Sequence, residues 1–290
     1  MSIIVAGPAS KELAYNTAKL ANIECIDAIS KRFPDGEIKI TIPEAEKLED
    51  EEVIIIQSTY PPVNEHIMEL LFMLGKVREH TSKITLIIPY MAYARQDREF
   101  LKGESVSINH LALLLDAFNV SRVVTVDIHS RLALSYIKNS INVSAIPLLA
   151  ERFKDMDNVI IVSPDIGGRE RAEEFAKLIG KDVVALPKHR DRSTGEVKID
   201  EDASILEKID GKDVIIIDDM ISTGGSIIKA SNAIRDRCND IYVTCTHALL
   251  LDNAYEKIIA AGVKEIISTN TIPNKSAKVD VSSILRDLIC

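Results

Sequence analysis

The feature that most narrows the fold is a series of short, unbroken apolar runs rich in Ile and Val: "SIIVA" (2–6), "EVIIIQS" (52–58), "KITLIIP" (83–89), "RVVTVD" (122–127), "NVIIVSPD" (158–165), "DVVALP" (182–187), "DVIIIDD" (213–219), "DIYVTC" (240–245) and "EIIST" (265–269). Continuous rather than alternating apolar character predicts strands buried on both faces. Most of the intervening stretches have helical spacing. In "NEHIMELLFMLGKVREH", for example, Ile67, Leu70, Leu71 and Leu74 fall on one face. Alternation of this kind gives an α/β chain with mainly parallel sheets flanked by helices.

The chain has 290 residues, more than the ~100–200 usual for one domain, so two domains are expected. The halves also resemble each other. "IIPYMAYARQDR" (87–98) precedes "VVTVDIHS" (123–130) much as "IIVSPDIGGRER" (160–171) precedes "VIIIDDMIS" (214–222). A duplicated α/β domain is expected, divided as 1–141 and 142–290. With 46% hydrophobic and 27% charged residues, both halves can bury a core. A net charge of −9 argues against non-specific nucleic-acid binding and against an anionic membrane surface. Cys25, Cys238, Cys245 and Cys290 have neither zinc-site spacing nor disulfide-scaffold density. The start "MSIIVAGPAS" has no basic leader, and no apolar run nears the ~18 residues of a membrane span. The expectation is a soluble cytoplasmic protein with neither nucleic acid nor membrane as partner.

In such sheets, ligands sit beyond the carboxyl ends of the strands. "VIIIDDMISTGGS" (214–226) reads as a strand over Val214–Ile217, with Asp218 and Asp219 at its exit and a turn into the helix that follows. Two ionised carboxylates accept hydrogen bonds, so they suit the neighbouring hydroxyls of a sugar and repel a bare phosphate. The turn does the opposite job. Ser222, Thr223 and Ser226 offer hydroxyl donors, Gly224 and Gly225 let backbone N–H groups approach an anion, and a helix N-terminus favours negative charge. Ordinary helix capping needs one such residue rather than the whole set. A diol site beside a phosphate site describes a ribose 5-phosphate unit.

This stretch resembles the phosphoribosyl-diphosphate motif shared by type I phosphoribosyltransferases and ribose-phosphate diphosphokinases. The first half favours the latter. "RFPDGE" (32–37) and "YARQDR" (93–98), taken singly, read as a surface turn and a charged loop. In this order ahead of "VVTVDIHS", they resemble the ATP-binding segments of ribose-phosphate diphosphokinases, of the archaeal-like kind.

The resemblance implies two domains of the type I phosphoribosyltransferase fold, an ATP-side domain (1–141) and a ribose 5-phosphate-side domain (142–290), the last helix packing back on the first. It implies ATP contacts from Phe33, Asp35, Gly36, Glu37, Arg95 and Gln96. The "FPDGE" segment is contributed by a neighbouring subunit, so that the active unit is a homo-oligomer. Phe33 can stack on a purine, and the acids can accept from its amino group or ribose. The cofactor implied is Mg²⁺, with His129, Asp127 and Asp165 at its sites, although Mg²⁺ chemistry favours the carboxylate oxygens over imidazole. The glycines of "SPDIGGRER" suit a diphosphate.

In "LPKHRDRSTGEV" (186–197), Lys188, Arg190 and Arg192 alternate and share one side of an extended loop. The ordinary reading is an exposed charged hairpin. By resemblance, Lys188 and Arg190 are the Lys-x-Arg of a mobile catalytic loop, Arg190 also touching ribose 5-phosphate. The implied reaction moves the β,γ-diphosphoryl group of Mg·ATP to the 1-hydroxyl of ribose 5-phosphate. After "DIHS", "RLALSYIKNSINV" lacks the glutamine- and phenylalanine-rich stretch of the phosphate-activated class, which puts such control in doubt. A phosphoribosyltransferase would not need "FPDGE", "ARQD" or "KHR". A non-catalytic regulator related to the diphosphokinases would have lost catalytic residues.

Overall fold

The computed structural model describes residues 2–186 and 204–289 in full and, in between, the backbone of 188–190, 197–199 and 203. It divides into two compact units, 1–144 with 271–273 and 280–290, and 145–270 with 274–279. The division falls at Ser144/Ala145, three residues beyond the expected 141, and the C-terminal segment belongs to the first unit.

The first unit runs β1 (Ser2–Ala6), α1 (Lys11–Ala21), β2 (Glu24–Asp27), β3 (Ile29–Arg32), β4 (Ile38–Thr41), β5 (Glu52–Ile56), α2 (Val63–Arg78), β6 (Ile84–Ile88), α3 (Ser107–Ala117), β7 (Arg122–Val126), α4 (Arg131–Ser135) and β8 (Ser140–Val143). The second runs α5 (Ile146–Glu151), β9 (Val159–Ser163), α6 (Arg169–Ile179), β10 (Val183–Ala185), β11 (Lys188–Arg190), β12 (Val197–Ile199), α7 (Ala203–Ile209), β13 (Asp213–Ile221), α8 (Gly225–Ile234), β14 (Ile241–Ala248), α9 (Ala254–Ala260), β15 (Val263–Thr269) and β16 (Ala277–Val279). The chain closes with α10 (Ser282–Arg286), which packs on α1, where Asn16 donates to Asp280 at 2.9 Å.

The sheets have orders β2-β1-β5-β6-β7-β8 and β10-β9-β13-β14-β15-β16. Ranked within its own unit, each reads 2-1-3-4-5-6, and each unit inserts an antiparallel hairpin, β3–β4 or β11–β12, between its second and third sheet strands. Every pairing within the two large sheets is parallel. The expected α/β class, two similar domains of mainly parallel sheet flanked by helices, is what the structure has.

The Ile/Val runs became the central strands because both faces are covered. Ile54, Ile55 and Ile56 of β5 and Ile215, Ile216 and Ile217 of β13 are all buried. On α2 the buried stripe is Ile67, Leu70, Met73, Leu74 and Val77, with Leu71 only half-buried, because a 3.6-residue period carries the stripe on to Met73 and Val77. Among the described residues, no helix is long and apolar enough to cross a membrane.

Candidate active site

In the second unit, the candidate residues gather at the carboxyl ends of β9 and β13. Strand β13 differs from expectation: it runs through both acids to Ile221 rather than ending at Ile217. Its pairing with β14 continues through Asp218↔Cys245 and Met220↔His247, whereas its pairing with β9 stops at Ile216↔Val162. Past Ile216 the strand is therefore supported on one side and open on the other. Asp219 is buried and Asp218 half-buried, with the Asp219 N–H donating to Asp218 Oδ1 at 2.9 Å. Burial and the neighbouring Asp219 charge push the Asp218 carboxyl up to about 8, against the opposing pull of Arg171.

The turn after β13 leads into α8 through Gly224, the N-cap, whose φ of +77° is left-handed. A Cβ there would also lie 2.8 Å from Ile258 Cδ1. Gly225 is different: a Cβ on it would meet nothing within 4 Å, so this backbone faces open space. The Ser222 backbone is anchored, its carbonyl accepting from the Leu251 N–H at 3.0 Å. Among the described residues, the Ser222 and Thr223 hydroxyls have no hydrogen-bond partner. Ser226 stands in the first turn of α8, whose leading N–H groups lack intrahelical acceptors.

The "SPDIGG" loop is folded tightly on itself. Asp165 accepts the Gly168 N–H at 3.0 Å through Oδ1, and Ser163 Oγ donates to the Asp165 carbonyl at 2.6 Å. A Cβ on Gly168 would meet Ser163 Oγ at 2.8 Å, so a larger residue there would displace the Ser163 hydroxyl from the Asp165 carbonyl. Sequence reasoning passed over Arg171. Its Nη1 lies 3.6 Å from Asp218 Oδ1 and its Nη2 3.7 Å from Asp219 Oδ2. The signal was present: Arg171 sits four residues before buried Phe175, hence on the apolar stripe of α6, where a charge needs a reason.

In the first unit, Phe33, Asp35, Gly36 and Glu37 form the tip of hairpin β3–β4. The Gly36 N–H donates to the Phe33 carbonyl at 3.0 Å and the Phe33 N–H to the Glu37 carbonyl at 2.8 Å, with Gly36 at φ +93°. This is a P-D-G turn closed by a left-handed glycine. Asp35 Oδ1 accepts the Glu37 N–H at 3.1 Å, which stiffens the turn. Phe33 is 37% exposed, with the Lys31 ammonium 5.9 Å from its ring centre. A groove of about 580 Å³ separates this hairpin from α2, lined by Gly36, Glu37 and Ile38 on one side and Asn64, Met68 and Phe72 on the other.

Arg95 is exposed and Gln96 half-buried in the loop after β6. Between them and the "DIHS" loop stands Asp97, a second residue passed over. It is buried, accepts from Arg98 Nε at 3.0 Å and from Ser130 Oγ at 2.5 Å, and its carbonyl accepts from Tyr136 at 3.1 Å. The Arg98 guanidinium holds the Asp97 carboxyl below the usual range, against its burial. Asp97 thus ties the loop carrying Arg95 and Gln96 to the one carrying Asp127 and His129. At the end of β7, Asp127 is buried with φ +38° and His129 is exposed. The side chains of Lys188 and Arg190, and all of Arg192, lie outside the described residues. The backbone of 188–190 pairs antiparallel with 197–199.

Comparison with known proteins gives a consistent picture. Residues 2–118 match the family model for the N-terminal domain of ribose phosphate pyrophosphokinase, and 180–287 that of the phosphoribosyl synthetase-associated domain. The chain is 37% identical to a ribose-phosphate pyrophosphokinase of Sulfurisphaera tokodaii, covering 97% of each chain. It is 36% identical to that of Campylobacter jejuni, covering 94% of this chain and 88% of the relative. The fold superposes on phosphoribosylpyrophosphate synthetase from Mycobacterium smegmatis with a TM-score of 0.85 at 29% identity, covering 99% of this chain and 97% of that one.

Proposed function

The chain belongs to the ribose-phosphate pyrophosphokinase family of enzymes, and from that premise we propose that it transfers the β,γ-diphosphoryl group of Mg·ATP to the 1-hydroxyl of ribose 5-phosphate, giving 5-phosphoribosyl 1-diphosphate and AMP. The observation that carries this reading is the strand-to-helix turn of the second unit. There Asp218 and Asp219 adjoin the hydroxyls of Ser222 and Thr223, without a partner among the described residues, and the open backbone of Gly225 at a helix N-terminus. The acids accept from the sugar's ring hydroxyls. Ser222, Thr223, Ser226 and the N–H groups of Gly224 and Gly225 hold its 5-phosphate.

On the nucleotide side, Phe33 stacks on adenine, Asp35, Gly36 and Glu37 receive its polar edge and ribose, and Arg95 and Gln96 donate to ATP. The hairpin tip serves a neighbouring copy of the chain, making the working enzyme a homo-oligomer. Lys188 and Arg190 supply positive charge to the diphosphoryl group in flight, a transfer that needs positioning and charge stabilisation more than covalent help.

The donor set fits Mg²⁺. Among the described residues, no three His, Cys, Asp or Glu side chains converge as a protein cage. Mg²⁺ is usually held by one or two carboxylates together with substrate phosphates and water. Asp127, with His129 beside it, would hold one ion in the first unit, and Asp165, whose loop is preorganised by the Gly168 N–H, would hold another in the second; Mg²⁺ bound with ATP would neutralise developing phosphate charge.

Incubation with Mg·ATP and ribose 5-phosphate, followed by nucleotide analysis, tests the reading. AMP formed only in the presence of the sugar phosphate is the expected result. ADP would indicate an ordinary kinase. Absence of turnover would favour a non-catalytic regulator, and consumption of 5-phosphoribosyl 1-diphosphate with a base would favour a phosphoribosyltransferase.

A further inference from the structure

The loops after β6 and β7 leave the same end of neighbouring parallel strands, whose pairing runs up to Ile88↔Thr125. The first carries Arg95 and Gln96, the second Asp127 and His129, and one buried acid connects them. Asp97 is 4% exposed although Arg95 and Arg98 on either side of it are exposed. Both of its carboxylate oxygens are engaged: Oδ1 accepts from Arg98 Nε at 3.0 Å, and Oδ2 accepts from Arg98 Nη2 at 3.2 Å and from Ser130 Oγ at 2.5 Å. An acid engaged in this way is equipped to hold the protein rather than a ligand.

What it holds is α4. Ser130, the N-cap of that helix, accepts the N–H groups of Leu132 and Ala133 at 3.1 and 3.3 Å, and its one hydroxyl proton goes to Asp97. Tyr136, the residue after the helix, donates from its hydroxyl to the Asp97 carbonyl at 3.1 Å. A single residue of the first loop therefore grips both ends of the helix into which the second loop runs. On its other side the second loop is pinned to β8. There the Asp127 N–H donates to the Val143 carbonyl at 2.9 Å and the Ile128 N–H to Asn142 Oδ1 at 2.8 Å. Held from β8 on one side and from Asp97 on the other, the "DIHS" loop is fixed relative to the loop of Arg95 and Gln96.

We propose that Asp97 is a positioning residue for the nucleotide: through Ser130 and Tyr136 it sets the residues for the cation, Asp127 and His129, in register with the triphosphate donors Arg95 and Gln96, so that Mg²⁺ and nucleotide strengthen each other's binding. The proposal rests on the ATP and Mg²⁺ reading of the first unit. A ligand that bridges two loops binds tightly when both are placed beforehand, and a small misplacement of one forfeits part of the contact. The gain in nucleotide affinity on adding Mg²⁺ is the coupling between the two, and it is the quantity that the clamp controls.

The test compares wild type, Ser130→Ala, Ser130→Thr and Tyr136→Phe in the full-length enzyme. ATP binding is measured by calorimetry without ribose 5-phosphate, once in excess Mg²⁺ and once in EDTA, and the ratio of the two affinities is the readout. Wild type is expected to bind more tightly with Mg²⁺. Ser130→Ala should reduce that gain by about 5-fold or more, part of the worth of one hydrogen bond to a charged group, whereas Ser130→Thr, which keeps the hydroxyl, should retain it. In initial rates, the KM for Mg·ATP should rise in Ser130→Ala with the KM for ribose 5-phosphate within about 2-fold. A purely structural role would lower the melting temperature and leave the affinity ratio where it was. If Ser130→Ala melts early through loss of the helix cap, Tyr136→Phe, which leaves the cap in place, supplies the same readout with an expected reduction of about 3-fold, the scale of one neutral hydrogen bond. An affinity ratio equal to wild type in both Ser130→Ala and Tyr136→Phe, or one reduced equally in Ser130→Thr, overturns the proposal while leaving the function standing. A wild type that binds no ATP in either condition and makes no AMP overturns the nucleotide reading and this proposal with it.

Discussion

Gly224 and Gly225 are adjacent and chemically identical, yet their surroundings assign them different tasks, and alanine substitutions separate the two. At Gly224, alanine must adopt φ +77°, a left-handed conformation that costs an L-residue roughly 1–2 kcal/mol. Its Cβ would also press on Ile258, 2.8 Å from Cδ1 and 3.0 Å from Cγ1, with Ala254 Cβ at 3.5 Å. Ile258 is fully buried, so its side chain has little room to turn away, and overpacking adds about 1–3 kcal/mol. Gly224→Ala should therefore lose about 2–5 kcal/mol of stability. At Gly225, the first residue of α8, a Cβ meets nothing. Gly225→Ala should hold or gain up to about 1 kcal/mol through helix propensity. The same methyl, however, stands where the phosphate is proposed to approach the backbone, so the KM for ribose 5-phosphate should rise about 10-fold or more, the scale for losing hydrogen bonds to a charged ligand. Urea unfolding followed by circular dichroism supplies the stabilities, and initial rates supply the KM values. The reasoning is refuted if Gly224→Ala unfolds with the wild type, or if Gly225→Ala loses stability as Gly224→Ala does. An unchanged KM in Gly225→Ala removes the phosphate from this backbone.

Three further outcomes follow from the structure. Lys188→Ala and Arg190→Ala should each lower kcat by at least ~10²-fold with unchanged thermal melting, the scale for losing one donor to transition-state charge; near-normal turnover in both takes the loop out of the mechanism. Asp97 has a depressed carboxyl, so its contribution is present above the unfolded value near pH 4 and fades as pH falls through the folded one. Asp97→Asn should cost about 1–3 kcal/mol at pH 7 and flatten the acid limb of a stability–pH profile, and a limb unchanged from wild type would show that Asp97 does not govern it. Asp218 has the opposite sign. Its folded carboxyl sits near 8, so the folded state binds its proton more tightly than the unfolded chain does, and stability declines as pH rises from about 4 to about 8. Asp218→Asn should therefore gain roughly 1–2 kcal/mol at pH 8 while weakening ribose 5-phosphate binding, and urea midpoints equal to wild type at that pH would contradict it.

The central strands were legible because burial on both faces leaves an unbroken Ile/Val signature. Strands β1, β5, β6, β7, β9, β10, β13, β14 and β15 each coincide with a run visible in the sequence, although β13, β14 and β15 reach beyond theirs. The P-D-G turn of "RFPDGE" pointed to extended segments at β3 and β4, but no apolar run marked β2, β3, β4, β8 or β16. They are edge or hairpin strands of 3–4 residues such as "ECID" and "SINV", whose partial exposure leaves too few apolar positions to register. The acids, hydroxyls and glycines of 218–226 were legible because their chemistry is local in sequence. Arg171 and Asp97 were not, because each acts on residues far along the chain: Arg171 on acids about fifty positions away, Asp97 on Ser130. The extension of β13 to Ile221 was also hidden. Two acids read as the end of a strand, whereas β14 continues to pair with the chain beyond them.

The shared 2-1-3-4-5-6 strand order means that each unit presents the same strand ends to a ligand, yet the hydrogen bonding at those ends differs. In the first unit, the counterparts of β9 and β13 are β1 and β5. After β5, Gln57 is fully buried, accepting the Ala9 N–H at 3.0 Å and donating to Glu69 at 3.0 Å. Ser58 accepts the Tyr90 N–H at 3.1 Å and donates to the Thr271 carbonyl at 2.7 Å. The polar groups there are spent on their own chain, and a Cβ on Gly7 would collide with Gln57, so no space remains. In the turn that follows β13 in the second unit, Ser222 and Thr223 have no partner among the described residues and Gly225 faces open space. Ser222 is half-buried and Thr223 exposed, so their hydroxyls can exchange water for a ligand at little cost. Of two strand ends with the same topology, the second is therefore the one with donors left to offer a ligand. The topology alone does not distinguish the two strand ends; the hydrogen-bond accounting does, and it supports the proposal that the sugar phosphate goes to the second.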